Sequence, residues 1–283
     1  MSDIVYLNHQ FVPKEQAKIS VFDRGFLFAD AVYEVTAVIH GKLIDFDGHF
    51  SRLQRSCKEL EMPFSLTKQE LKDVHYQLIK KNKLDEGLIY LQITRGVDSS
   101  RFFSFPSLST PLTVVAFVQH STVLAHPNAK KGISVIALED IRWQRCDIKT
   151  VGLLAACLAK HQAQQQGADD AILIKEGYIT EGSSSNFFIV NHDNEIITRP
   201  LSHSILPGIT RQAIIQLAKE AHLKVIERLF TLEETKNAKE AFISSATTLI
   251  WPVISIDEHP INQGIVGPLS QRLREIYLEK ALS

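Results

Sequence analysis

Lysine is an unusual residue to find in the segment CDIKTVGLLAACLAK, where Lys149 stands just before an apolar run that favours a helix. A lysine in a turn is commonly a solvated surface charge. A lysine held in a pocket can instead act as a nucleophile or form a Schiff base with a carbonyl compound. This segment taken alone leaves both interpretations open.

Two further segments could bind an anion. In ILPGITRQAII, Pro207 and Gly208 come directly before a predicted helix, and Thr210 adds a hydroxyl group. The first N–H groups of a helix are unpaired and carry the positive end of its dipole, so they attract phosphate. The segment SSATT (244–248) follows a predicted strand and offers more hydroxyl and N–H groups. An ordinary helix start and an ordinary turn are the alternatives.

A cation and a carboxylate complete this set of residues. Arg52 lies in the first turn of an early predicted helix, and Glu181 lies in a tight turn in TEGSSSNFF. Each could also be a solvated charge. Together with Lys149 and the anion-binding segments, they match the needs of pyridoxal phosphate (PLP). That cofactor requires an amine for a Schiff base, a carboxylate that keeps its ring nitrogen protonated, and a phosphate cradle.

Composition excludes several other classes of function. The chain has 283 residues, 45% of them apolar, and a formal net charge of −1, which gives no electrostatic case for binding nucleic acid or a membrane. The N-terminal residues lack the pattern of a signal peptide, and the three cysteines form no CxxC, as is typical of a cytoplasmic protein. The eleven histidines form no metal-binding motif, so no metal is expected.

The pattern of strands and helices predicts two domains. Residues 1–120 form a small α+β domain, residues 121–283 form a larger domain, and the polar stretch at about 119–130 links them. The predicted strands of the small domain are 4–12, 31–40, 87–96 and 111–119, and the predicted helices of the whole chain are 49–61, 65–82, about 151–166, about 209–221, 232–238 and 267–281.

The apolar spacing of the early helices predicts which face each one buries. The helix at 49–61 places Phe50, Leu53, Cys57 and Leu60 on one face. His49, just before it, is expected to be a capping or surface residue. The helix at 65–82 is expected to open at Ser65.

These motifs occur in an order and spacing that resemble those of the fold-type IV, or class IV, PLP-dependent aminotransferases. Within that family the chain is most similar to D-amino-acid (D-alanine) aminotransferases. The resemblance covers nearly the whole chain and is strongest in DRGFLFADAVYEV, HFSRLQRS, DIKT, TEGSSSNFF, ILPGITRQ and ISSATTLIWPV. It implies an α+β fold with a small N-terminal domain, a larger β-rich C-terminal domain, the cofactor between them, and a homodimer.

The resemblance also implies a role for each matching residue. Lys149 matches the lysine that forms the Schiff base and carries the substrate proton, and Glu181 matches the partner of the pyridine nitrogen. The cofactor-binding positions implied in addition are Arg52, Ile209, Thr210 and Thr247 for the phosphate and Leu206 for the ring. A free lysine with a pKa near 10.4 is a poor base at neutral pH, so burial and the cationic cofactor are expected to lower the pKa of Lys149.

The substrate expected from the resemblance is a D-amino acid, namely D-alanine, D-glutamate or D-aspartate, which exchanges its amino group with a 2-oxo acid in a ping-pong reaction. Tyr33 matches a tyrosine that binds the substrate carboxylate. In the loop RGVDSSRFFSFP, Arg101 matches the family's arginine, but Phe103 stands where the family has a histidine.

Other functions on the same fold stay open at this point. A branched-chain L-amino-acid aminotransferase, an (R)-amine transaminase and an aminodeoxychorismate lyase share the main motifs. Tyr33 and Arg101 favour a D-amino-acid enzyme, whereas Phe103 suits an amine donor that lacks a carboxylate. A catalytically idle PLP-binding protein is the non-enzymatic alternative, and the presence of both Lys149 and Glu181 argues against it.

Overall fold

The structure is a computed structural model that describes residues 3–283, and these divide into two compact units. The first unit contains the described residues up to Val123 together with Ile148–Gly152, and the second contains Leu124–Asp147 and Leu153–Ser283. The sequence assigns residues 148–152 to the second domain, whereas here this segment, which contains Lys149, groups with the first unit. The domain boundary near residue 120 stays a prediction.

The first unit is built on an antiparallel six-stranded sheet with the strand order β2-β1-β6-β5-β3-β4. Its strands are β1 (Ile4–Leu7), β2 (Gln10–Pro13), β3 (Ala31–Ile39), β4 (Lys42–Leu43), β5 (Gly87–Thr94) and β6 (Thr113–His120). Its helices are α1 (Arg24–Phe28), α2 (Phe46–Glu59) and α3 (Lys68–Asn82). The predicted strand at 4–12 is therefore two short strands joined by a tight turn at Asn8 and His9, both of which have positive φ.

The helices α2 and α3 contribute to one apolar core, as their spacing predicts. Phe50, Leu53 and Cys57 are buried in this core, and Leu60 packs against it. Two helix starts differ from the prediction. Helix α2 begins at Phe46, which puts Arg52 in its second turn, and α3 begins after Thr67, whose side chain accepts from the Glu70 N–H while Glu70 bonds back to the Thr67 N–H. Because Thr67 and Glu70 have the three-residue spacing of a capping box, Thr67 is a better cap than Ser65.

The second unit is built on a mixed nine-stranded sheet with the order β12-β11-β10-β13-β14-β7-β8-β9, and β15 pairs with β14. Its strands are β7 (Ile133–Glu139), β8 (Asp170–Lys175), β9 (Tyr178–Gly182), β10 (Asn186–Val190), β11 (Ile196–Thr198), β12 (Val225–Glu227), β13 (Glu240–Ser245), β14 (Leu249–Ile256) and β15 (His259–Pro260). Its helices are α4 (Pro127–Lys131), α5 (Leu154–Gln165), α6 (Ile209–Glu220), α7 (Leu232–Lys236) and α8 (Pro268–Leu282).

The sheet of the second unit is buried on both faces. One core contains Phe187, Ile189 and Ile243, and another contains Phe188, Phe242 and Ile214 of α6. Strands that are covered on both faces read as continuous apolar runs, as in NFFIV and AILI. Within residues 3–283, no helix is both long enough and apolar enough to cross a bilayer.

Candidate active site

Lys149 lies in a short extended segment beside the start of β3. The N–H of Tyr33 donates to the carbonyl oxygen of Lys149 at 2.9 Å, and the N–H of Val151 donates to the carbonyl oxygen of Ala31 at 3.2 Å. Helix α5 begins only at Leu154, later than the predicted position 151. Strand β3 therefore fixes the backbone at Lys149, and the following helix does not.

The side chain of Lys149 has a defined position over an aromatic ring. Its Nζ atom lies 4.2 Å from the ring centroid of Tyr33, and the residue is half-buried. Tyr33 stacks on Tyr90 with a centroid distance of 5.6 Å, and Tyr90 stacks on Phe117 at 5.0 Å. An ammonium group over the face of a tyrosine is attracted by the ring quadrupole. This row of three rings across β3, β5 and β6 therefore orients the amine.

Arg52 belongs to a buried ionic cluster on α2 and β3. Its Nε and Nη2 atoms donate to the two carboxylate oxygens of Glu34 at 2.8 and 2.7 Å, and Nδ1 of His49 lies 2.7 Å from Oε2 of Glu34. All three residues are buried. The expectation that His49 caps the helix or lies on the surface is wrong, because α2 begins three residues earlier and turns His49 toward Glu34.

The neighbouring Arg52 and His49 keep the carboxyl group of Glu34 ionised. Burial alone would raise the pKa of Glu34, but Arg52 and His49 outweigh burial and lower it to about 2. Glu34 is therefore an anion at every physiological pH. The forked contact with Glu34 fixes the plane of the Arg52 guanidinium, and a fixed plane favours binding of a planar or tetrahedral anion.

The loop that carries Arg101 and Phe103 lies on the surface of the first unit. Arg101 is exposed, and its guanidinium lies 4.8 Å from the ring centroid of Phe28 and 5.5 Å from that of Phe103. Phe103 is 81% exposed and packs on Phe28 with a centroid distance of 5.6 Å. Within this unit Phe103 therefore packs against a ring and presents most of its surface to solvent.

Glu181 of the second unit is buried and accepts hydrogen bonds from three groups. Nη1 of Arg142 donates to its Oε1 at 2.5 Å, and Nδ2 of Asn186 donates to its Oε2 at 2.9 Å. The backbone N–H of Leu206 lies 3.2 Å from each oxygen. Strand β9 supplies Glu181, and β10, the next strand along the chain, supplies Asn186 at its first residue. The alternative of a solvated carboxylate in a turn is wrong for this residue, which is 4% exposed.

Arg142 connects Glu181 to a second carboxylate. It donates to Asp140 through Nε at 2.9 Å and Nη2 at 2.7 Å, and Asp140 also accepts from the hydroxyl of Thr180 at 2.8 Å. Burial raises the pKa of the Glu181 carboxyl, and the guanidinium of Arg142 opposes this shift. Asp140 has a lowered pKa, because the bonds from Arg142 and Thr180 outweigh its burial. Arg142 therefore has an electrostatic influence on the carboxyl group of Glu181.

The N-terminus of α6 begins at Ile209, as the sequence predicts, and Ile209 and Thr210 are buried there. Gly208 caps the helix and, among the described residues, no side chain accepts from its first N–H groups. A Cβ atom at Gly208 would lie 1.9 Å from Oδ1 of Asn186, so glycine is required at this position. Asn186 also donates to the carbonyl oxygen of Leu206 at 2.9 Å. Leu206, the start of α6 and Glu181 are thus held together through one asparagine.

The turn at 244–248 joins β13 to β14. The hydroxyl of Ser245 lies 2.9 Å from those of Thr247 and Thr248, and Thr247 is exposed. Ser244 is opposite Asn186 in the sheet register. Within residues 3–283 its buried hydroxyl has no hydrogen-bond partner. A buried hydroxyl without a partner is uncommon and fits a site that receives a polar ligand.

The structure thus brings the predicted residues together in two groups. Lys149, Tyr33, Arg52, Arg101 and Phe103 belong to the first unit, and Glu181, Leu206, Ile209, Thr210 and Thr247 belong to the second. Four residues that hold these groups were not among the predicted site residues, namely Glu34, His49, Arg142 and Asn186. A signal existed for two of them, because Glu34 interrupts an apolar strand and His49 stands three residues before Arg52, on the same side of a helix.

The chain belongs to the class IV aminotransferases. The family described as "Amino-transferase class IV" matches residues 31–256. Among individual proteins, the D-alanine aminotransferase of Staphylococcus aureus (strain N315) is 38% identical over 271 residues, which cover 96% of this chain and 95% of that protein.

Solved structures agree with this assignment. The branched-chain amino acid aminotransferase of Escherichia coli matches with a TM-score of 0.91 at 27% identity, covering 99% of this chain and 95% of that one. The T.th. branched-chain enzyme, solved with pyridoxamine 5'-phosphate, matches with a TM-score of 0.89 at 27% identity, covering 99% and 94%. The prediction of a two-domain α+β fold of type IV is confirmed.

Class IV aminotransferases depend on PLP, and the described residues fit that group. The first unit supplies a half-buried amine at Lys149 and a buried guanidinium at Arg52. The second supplies a buried carboxylate at Glu181, an α6 N-terminus without a side-chain cap, and the unpartnered hydroxyl of Ser244. These are the amine, carboxylate and anion donors that the cofactor requires. The chain is therefore a PLP-dependent member of the class IV aminotransferase family.

Proposed function

We propose that this chain is a D-amino-acid aminotransferase that exchanges the amino group of D-alanine, D-glutamate or D-aspartate with a 2-oxo acid. The observation that carries this proposal is the contact between Lys149 and Tyr33, with Nζ 4.2 Å from the ring centroid. It places the amine that must move a proton beside the tyrosine that we assign to the substrate. The similarity to D-alanine aminotransferases over 96% of the chain supports the D-configuration.

Each proposed site residue has one task in this reaction. Lys149 holds the cofactor through its amine and, once released, moves the proton between the substrate α-carbon and C4′ of the cofactor. When bound, PLP supplies the electron sink that stabilises the electron pair left on the α-carbon. Glu181 holds the proton on the ring nitrogen, which that electron sink requires, and Leu206 packs on the ring.

The remaining residues bind and orient. Arg52, the α6 residues Ile209 and Thr210, and Thr247 bind the phosphate group, which fixes the cofactor in one orientation. Tyr33 and Arg101 orient the substrate by its α-carboxylate. Phe103 makes its part of the loop apolar where the family has a histidine.

A branched-chain L-amino-acid aminotransferase is the second candidate. It is favoured by the match to solved branched-chain enzymes with TM-scores of 0.91 and 0.89. Phe103 supports a third candidate, an (R)-amine transaminase, because an aromatic side chain suits a donor without a carboxylate. A catalytically idle PLP-binding protein would need neither Lys149 nor the donors that surround Glu181.

A panel of amino donors tests the proposal directly. The purified protein with PLP is assayed with D-alanine, D-glutamate, D-aspartate, L-leucine, L-valine and (R)-1-phenylethylamine, each with pyruvate or 2-oxoglutarate as acceptor. We expect the D-amino acids to react faster than the L-amino acids. Equal or faster reaction of L-leucine or L-valine would favour the branched-chain enzyme, and PLP binding without turnover of any donor would favour the idle protein.

We also expect a homodimer in the cytoplasm. The first unit exposes several large apolar side chains, including Val21 at 65%, Phe26 at 68% and Leu108 at 72%. Exposed apolar surface of this kind is commonly covered by a partner. Sedimentation should give about twice the mass of the 31.9 kDa chain. The cytoplasmic location rests on cysteine usage, since Cys57, Cys146 and Cys157 are all unpaired.

A further inference from the structure

One carboxylate in the first unit binds two buried arginines. Oδ2 of Asp30 accepts from Nε of Arg24 at 2.8 Å and from Nε of Arg95 at 2.8 Å. The side chains of Arg24, Arg95 and Asp30 are only 3%, 5% and 9% exposed. Two guanidinium groups on one carboxylate leave an excess of positive charge, so further acceptors are needed in this buried place.

The additional acceptors are backbone carbonyl groups. Nη1 of Arg24 donates to the carbonyl oxygens of Phe102 at 2.8 Å and Ser104 at 3.2 Å. Nη2 of Arg95 donates to the carbonyl oxygen of Leu60 at 2.7 Å, at the C-terminal end of α2, where a cation is favoured by the helix dipole. The cluster of Asp30, Arg24 and Arg95 therefore joins the end of α2 to the surface loop at 97–110.

The loop depends on this cluster for its position. Within residues 3–283, the two bonds from Arg24 are the hydrogen bonds that join residues 99–108 to parts of the unit outside the 97–110 loop. The ring of Phe105 adds a stacking contact, with its centroid 3.7 Å from the guanidinium carbon of Arg95. Phe105 is itself 60% exposed, and an exposed loop without regular structure costs conformational entropy to hold in one place.

Arg24 binds the loop backbone next to the two residues that we assign to the substrate, Arg101 and Phe103. The carbonyl groups of Phe102 and Ser104 stand on either side of Phe103, and Arg101 comes directly before Phe102. Arg24 and Arg101 also lie over the same ring, with guanidinium carbons 4.6 and 4.8 Å from the Phe28 centroid. A displacement of the loop backbone would move Arg101 as well.

We propose that Asp30, Arg24 and Arg95 are positioning residues that fix the 97–110 loop, and through it Arg101, for binding the α-carboxylate of amino-acid substrates. The inference rests on the proposed function of Arg101. The cluster itself does not touch the substrate. It sets the affinity for carboxylate donors and leaves the proton transfer at Lys149 unchanged.

The first measurement is hydrogen exchange of the loop amides in the PLP-loaded protein. Arg24→Gln removes both bonds to the loop, and Phe105→Ala removes the exposed stacking ring without opening the core. Both substitutions should speed exchange in residues 99–108, whereas Arg272→Gln, at an exposed ion pair on α8, should not. Unchanged exchange in Phe105→Ala and in a folded Arg24→Gln would overturn the inference.

The second measurement is the half-reaction with D-alanine, followed in a single turnover. Because Arg24→Gln loses two charge-assisted bonds, the D-alanine concentration for half-maximal rate should rise about tenfold or more, with the limiting rate kept. The rate with (R)-1-phenylethylamine, which has no carboxylate, should not change. A fall in the limiting rate with unchanged half-saturation would overturn the positioning role.

Arg101→Gln separates the proposed role of Arg101 in binding the carboxylate from the positioning role of Arg24. If Arg101→Gln weakens D-alanine saturation and Arg24→Gln does not, the positioning inference is wrong and the proposed carboxylate site stands. If Arg101→Gln has no effect on saturation, the proposed role of Arg101 is wrong, and the inference fails with it.

Discussion

The guanidinium of Arg142 donates a 2.5 Å hydrogen bond to the buried carboxylate of Glu181, across 39 positions of sequence. The same guanidinium is held by Asp140 through two bonds of 2.9 and 2.7 Å. Glu181 can accept a hydrogen bond from a protonated ring nitrogen, and so keep that proton in place, only if it is ionised itself. Burial raises its pKa, so the opposing charge of Arg142 keeps the carboxylate available.

Arg142→Gln should therefore shift the acid limb of the pH–rate profile to higher pH. Without the positive charge, the pKa of Glu181 rises further, and a protonated Glu181 cannot hold the proton of the ring nitrogen. The single-turnover rate with D-alanine, measured across pH, should fall at neutral pH and recover in part as pH rises. Arg142→Lys keeps the positive charge, so its pH–rate profile should lie between those of Arg142→Gln and the wild type. Identical profiles for all three proteins would contradict the role of Arg142.

Glu181→Gln provides the companion test of the carboxylate. It should keep the covalent attachment of PLP but slow proton abstraction by about 10²–10⁴-fold, the usual range for loss of a positioned acid–base group. Unlike Arg142→Gln, it should not recover at high pH, because glutamine has no proton to lose. A half-reaction at the wild-type rate would show that Glu181 is not the partner of the ring nitrogen.

Lys149→Ala should abolish transamination and leave the fold intact. The change removes both the attachment point and the proton carrier, so a loss of at least about 10²–10⁴-fold is expected. Borohydride reduction followed by mass spectrometry of peptides should locate PLP on Lys149 in the wild type. The matched change Lys160→Gln, on the neighbouring helix α5, should leave labelling and activity unchanged, and labelling at any other lysine would contradict the assignment.

The lowered pKa of Glu34 predicts that the stability of the fold depends on pH in the acid range. Its pKa falls from the usual 4.5 to about 2 in the folded chain. The group therefore contributes stability that is fully present above its unfolded pKa and is lost as pH falls from about 4.5 through about 2. The shift corresponds to about 3 kcal/mol of unfolding free energy.

Urea unfolding at a series of pH values measures this effect. Glu34→Gln should be less stable at neutral pH, because Arg52 and His49 lose their buried partner, and its stability should fall less steeply between pH 4.5 and 2. The exposed control Glu275→Gln should follow the wild-type curve. Parallel acid limbs for wild type and Glu34→Gln would show that the ion pair does not control this window.

Phe103→His should change substrate preference. A histidine could donate a charge-assisted hydrogen bond to a substrate carboxylate, which contributes about 1.5–3 kcal/mol. The KM for D-alanine should therefore fall by about one to two powers of ten, and activity with (R)-1-phenylethylamine should decrease. Steady-state kinetics with both donors test this, and no change with either donor would remove Phe103 from the substrate site.

The apolar pattern of this sequence was enough to predict most of the helices and their buried faces. Phe50, Leu53 and Cys57 recur at helical spacing and are buried as a group, because neighbours along a helix share one face whatever surrounds it. The start of α6 at Ile209 follows from Pro207 and Gly208 in the same way. The family motifs were equally local, since each lies within one short stretch of chain.

The partners of the charged side chains were decided only by the tertiary structure. His49 lies in the first turn of α2, and the direction of its side chain depends on where that helix begins and on Glu34 in another element. Arg142 reaches Glu181 only because β7, β8 and β9 lie side by side in one sheet. Helix propensity and apolar spacing depend on residues a few positions apart. The partner of a buried charge depends instead on which strands and helices the fold brings side by side. The sequence by itself therefore determined which residues could do the chemistry, and the fold decided which groups hold them in place.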